Sequence, residues 1–143
     1  VNLFIDPLPG AVRMAKRLLR ELHFINIYLV YKLIKIIFSD KKLARYASFF
    51  YATAPIHYFA LGWAVNFSYI LLVTWVLLGI IALASKKLIF SILCGILALM
   101  TNEIGIVFPA LALMVMCRRP KIDKKISHEK VFLLSLYFVL LYI

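Results

Sequence analysis

Few side chains in this sequence are equipped to act on a substrate, and most of them fall at the ends of apolar runs. Glu103, preceded by Asn102, interrupts one such run. A carboxylate near the end of a membrane helix marks a functional site or a paired structural charge. A simpler role is compatible with both: Asn102 caps a helix starting at Ile104, and Glu103 favours the positive end of its dipole. His57 follows Pro55. Its imidazole suits a phosphate or a sugar hydroxyl, and suits the membrane interface equally. Trp63 reads as an interfacial anchor, and Asn66, in a glycosylation-acceptor tripeptide, lies too close to apolar sequence to serve as one. Asp6 precedes a basic stripe of Arg13, Lys16, Arg17 and Arg20. Arg13, Arg17 and Arg20 are suited to hold a lipid-linked phosphate by charge-assisted hydrogen bonds, or to attract anionic lipid in general. No nucleophile triad or phosphate-cradling glycine loop is present. A divalent metal would find no ligand cluster, and Cys94 and Cys117 have neither metal-site nor disulfide-framework spacing.

The elements that must position these residues are helices in a membrane. Of 143 residues, 65% are hydrophobic, and the mean hydropathy is +0.98. Soluble domains hold roughly 45–50% apolar residues, and a chain of this size still needs polar side chains to cover its surface. The net charge of +11 would suit nucleic acid. The basic residues, however, sit in short clusters between apolar runs, as topology signals do, so no nucleic-acid partner is expected. The chain starts at Val1 and stops inside an apolar run at Ile143; it is expected to be a piece of something longer.

The expected fold class is all-α, a polytopic transmembrane bundle forming a single membrane domain over 1–143. Residues 11–22 predict an amphipathic helix lying in the headgroup plane, with Ala11, Ala15, Leu18, Leu19 and Leu22 on one face. Five crossings follow, over 24–38, 46–61, 68–85, 88–101 and 104–117, and 131–143 begins a truncated sixth. SDKKLAR at 39–45 predicts a charged turn. The run 88–117 admits one helix of about 45 Å, against a hydrocarbon core of about 30 Å, or two short helices. Two helices put Lys86–Lys87 and Arg118–Arg119 on one side and bring Asn102 and Glu103 to the opposite surface, so a hairpin is expected. The basic loops then face the cytoplasm of a plasma or endoplasmic-reticulum membrane. Asp6, His57, Asn66, Asn102 and Glu103 face outside or the lumen. The basic stripe on 11–22 falls on that outer side, against the charge rule.

The order of four motifs resembles that of the GT-C type glycosyltransferases that use polyprenyl-phosphate sugars, the protein O-mannosyltransferases and their relatives. These motifs are FIDPLPG at 4–10, HFIN at 23–26, FFYATAPIHYFALGWAVNFSYIL at 49–71 and LALMTNEIGIVFPALAL at 97–113. They cover most of the chain. Asp6 stands where the family's first element has Arg, and Asn102 stands where a Lys precedes the Glu. The resemblance implies transfer of a sugar from a lipid-phosphate donor to an acceptor at the outer face. It implies that Glu103 lines the site, with Asp6 a substitute candidate for the catalytic group, while the family's own catalytic carboxylate belongs to a loop ahead of Val1. Arg13, Arg17 and Arg20 would hold the departing lipid phosphate.

Two other classes remain open. A transporter or flippase half predicts internal repeats and helices broken near the midplane. A non-catalytic membrane subunit predicts polar residues without convergence. The sequence carries no signal for oligomeric state.

Overall fold

A computed structural model describes residues 9–54 and 67–118. Its elements are α1 (Pro9–Phe38), α2 (Lys41–Thr53), α3 (Phe67–Ala84), α4 (Leu88–Thr101), a short 3₁₀ helix η1 (Glu103–Val107) and α5 (Phe108–Arg118). The described residues are all-α.

The expected interfacial helix 11–22 and first crossing 24–38 are one continuous helix of 30 residues. Composition changes at His23, from amphipathic to mostly apolar, but no Gly or Pro falls between Ala11 and Phe38 to break the backbone. Pro9 stands at the first helical position, where its missing N–H costs nothing. α1 stops at Ser39, which adopts the left-handed conformation (φ 58°) and donates its N–H to the Lys35 carbonyl at 3.0 Å.

The expected charged turn 39–45 is mostly helix. Asp40 Oδ1 accepts from the N–H groups of Lys42 (2.7 Å) and Leu43 (3.2 Å), so α2 begins at Lys41. It ends earlier than the expected 46–61 segment. Ala54 turns extended (φ −60°, ψ 126°), because the ring of the following Pro55 disfavours the helical conformation in the residue before it. α3 closes on a Schellman turn: Lys87 N–H donates to Ala82 at 2.8 Å, and Lys86 N–H to Leu83 at 3.0 Å. Lys86 takes the left-handed position (φ 63°) usually given to glycine.

α1 packs between α2 and α3, and α3 packs between α1 and the α4–α5 pair. α1 and α3 run parallel, joined by Leu29, Leu77 and Ile81 with Val30, Leu33, Ile36, Val73 and Leu78 around them. The expected hairpin at 88–117 forms. α4 ends where Asn102 goes extended, and η1 folds back so that Gly105 lies against the backbone of Ala98 and Leu99; a Cβ there would come within 2.6 Å of Ala98. Further along, the Phe108 ring lies between Gly79 and Gly95 (a Cβ on either would meet it at 2.6 and 2.7 Å), and Ala112 packs on Leu83.

The core is mostly apolar and the described charged side chains are exposed, but a few polar residues lie inside and several large apolar ones outside. His23, Asn26, Thr74 and Ser91 are buried, while Ile89 (78% exposed), Met100 (80%), Phe24 (70%) and Phe50 (69%) face outward. Among the described helices α3 alone is long and apolar enough to cross a membrane, with a hydropathy of 2.4 over 18 residues. α4 and the stretch Glu103–Val115 are apolar but shorter.

Candidate functional site

The hairpin fixes Asn102 and Glu103. Asn102 N–H closes α4 on the Ala98 carbonyl at 3.2 Å, and Gly105 N–H donates to the Asn102 carbonyl at 2.9 Å. The Asn102 side-chain oxygen accepts from Ile104 N–H at 3.0 Å. The capping role expected for Asn102 is therefore present, on a 3₁₀ turn rather than an α-helix. Glu103 occupies the first turn of η1 and is exposed, where its charge complements the amides of that turn.

Arg13, Arg17 and Arg20 are exposed along the first half of α1. Arg17 pairs with Glu21 at 3.1 Å, an exposed contact one helical turn apart. The Arg20 guanidinium donates to the Lys16 carbonyl at 3.3 Å. Exposed pairs of this kind hold side chains only weakly, so both guanidiniums keep donors for an anion. α1 and α3 run parallel, and α4 returns antiparallel to α3. The arginine stripe and the Asn102–Glu103 turn thus lie toward the same end of the bundle. Lys41, Lys42, Arg45, Lys86 and Lys87 lie toward the other. Asp6 and His57 fall outside the described residues, as do Trp63 and Asn66.

The structure adds a polar cluster that residue-by-residue reading passed over. His23 and Asn26, the ends of the HFIN motif, are both buried on one face of α1. Asn26 Nδ2 donates to the Ile70 carbonyl of α3 at 3.1 Å. The Thr74 hydroxyl donates to the same carbonyl at 2.9 Å. The Tyr51 phenol of α2 contacts the Asn26 amide, and its ring stacks on His23 with centroids 5.6 Å apart. Asn26 Oδ1 has no hydrogen-bond donor. One carbonyl, one amide and two rings thus tie three helices together. The signal for it was the i, i+3 spacing of two polar residues at the head of an apolar run, which puts both on one side of a helix. No group of three metal-ligating side chains converges among the described residues.

No protein-family model, curated protein or solved structure matches this chain.

Proposed function

We propose that this chain is the membrane-embedded part of a glycosyltransferase that moves a sugar from a polyprenyl-phosphate donor to an acceptor at the outer or lumenal face. The observation that carries the membrane half of this reading is α3, long and apolar enough to cross a membrane, beside helices that expose large apolar side chains. Ile89, Phe50 and Met100 are exposed while the polar pair His23 and Asn26 is buried between helices, an arrangement that lipid accommodates. The five crossings of this reading are 24–38, 46–61, 68–85, 88–101 and 104–117. The basic end, bearing Lys41, Lys42, Lys86 and Lys87, faces the cytoplasm.

The transferase half rests on the order of the four motifs. Two observations accompany it. The HFIN polar pair is buried at a three-helix junction, and the TNEIG turn lies toward the same bundle end as the arginine stripe. In this reading the acceptor hydroxyl attacks the anomeric carbon, its proton passes to a carboxylate, and the bond to the lipid phosphate breaks. Arg13, Arg17 and Arg20 stabilise the phosphate as it leaves, and Asn102 and Glu103 border the sugar. A transfer assay of the full-length protein with a polyprenyl-phosphate sugar tests it. Sugar appearing on an acceptor, and lost on neutralising Arg13, Arg17 and Arg20 together, supports the reading. Undiminished transfer by that triple variant removes the arginines from it, and absence of transfer with every donor tried removes the activity.

A further inference from the structure

Lys86 and Lys87 close α3 and open α4. They share an open pocket of about 520 Å³ with Leu88, Ile89, Phe90 and Leu93. Both lysines are exposed, and so are Ile89, Phe90 and Leu93 below them. The pocket therefore has a cationic rim and an apolar wall, with Ile89 and Leu93 one turn apart on the same helix face. Lys87 gives α4 no side-chain cap, so the first-turn amides add positive character at the same rim.

We propose that this pocket binds an anionic phospholipid from the leaflet at the basic end of the bundle. Its phosphate sits on Lys86 and Lys87, and an acyl chain runs along Ile89, Phe90 and Leu93. Charge complementarity selects the headgroup, and the wall selects a lipid over a free anion, which would use the rim alone. The site lies at the opposite end of the bundle from Asn102 and Glu103, so it is separate from the transferase reading. It rests on the chain being integral to a membrane.

The test uses the full-length protein in nanodiscs of phosphatidylcholine with and without phosphatidylglycerol, with retained lipid counted by native mass spectrometry. Membrane insertion is checked separately by resistance to alkaline extraction. Phosphatidylglycerol is expected to be retained in preference to phosphatidylcholine. The K86Q/K87Q variant should bind it about thirtyfold more weakly, near fivefold per lysine. Ile89→Ser with Leu93→Ser should also weaken retention, while K41Q/K42Q at the same end should not. Equal loss from K41Q/K42Q would reveal a diffuse basic surface and overturn the site. So would retention without headgroup preference, or displacement of the lipid by inorganic phosphate. Extraction of the protein at alkaline pH would overturn the membrane reading itself, and this inference with it.

Discussion

Asn26 of α1 donates its side-chain amide to the backbone carbonyl of Ile70 in α3 at 3.1 Å, across 44 positions of sequence. The bond pins two parallel helices that have no direct connection. It does so beside Thr74, whose hydroxyl serves the same carbonyl. A side-chain hydrogen bond of this kind contributes modestly, about 1 kcal/mol net. Asn26→Ala should therefore lower stability by about 1–2 kcal/mol, combining the lost bond with a small void. Asn26→Leu should cost less. It fills the space and removes the oxygen that has no donor, and Ile70 keeps the Thr74 hydroxyl. Thermal unfolding in detergent distinguishes the two, and a Leu variant as damaged as the Ala variant would refute this account.

Phe108 is held between two glycines of neighbouring helices. A Cβ on Gly79 would reach the ring at 2.6 Å, and one on Gly95 at 2.7 Å. Either added methyl pushes the ring toward the other helix, so rotation gives no relief. Gly79→Ala and Gly95→Ala should each cost about 1–3 kcal/mol. Phe108→Leu should recover part of that loss in the Gly95→Ala background, since the smaller side chain yields room. Gly105→Ala should find no such partner, because its methyl would strike the backbone of Ala98. A double-mutant cycle on unfolding midpoints measures the coupling.

Asn102 has two assignments, cap and substrate contact, and one pair of variants separates them. Asn102→Asp keeps an acceptor for Ile104 N–H, while Asn102→Ala removes it. The Ala variant should lose about 1 kcal/mol, the usual size of a cap, and the Asp variant should stay near native stability. Donor binding by the stable Asp variant then reports on the amide alone. Unchanged affinity would confine Asn102 to the cap.

Asp40 offers a control for that magnitude at the basic end. Its carboxylate takes two first-turn N–H groups of α2, so Asp40→Ala should destabilise by about 1 kcal/mol and Asp40→Asn by much less. Helical content and unfolding midpoint in detergent check both.

Cysteine labelling tests the arrangement of the ends. In a Cys117→Ser background, cysteines at Lys42 and Lys87 should react from one side of sealed vesicles and a cysteine at Glu103 from the other. Cys94 is 1% exposed and should stay silent until the protein unfolds. Reaction of positions 87 and 103 from the same side would exclude α4 as a crossing.

Several features were legible before any tertiary contact was known. Helical class follows from long apolar runs with few breakers. The reversal at 102 follows from a polar Asn–Glu pair set between two apolar runs too long for a single crossing. Local reading also went astray locally. The change of composition at His23 suggested two helices where an unbroken backbone makes one, and the charged stretch after Ser39 concealed Asp40 as a cap. What the sequence did not determine is which side of each helix faces its neighbours. In a soluble helix the apolar stripe marks the inside. In α3 and α4 nearly every side is apolar, so hydrophobicity does not separate the inward face from the outward one. Close packing of small residues and the pairing of buried polar groups decide it instead. Those choices appear only when Phe108 meets Gly79 and Gly95, and when Asn26 reaches the carbonyl of Ile70.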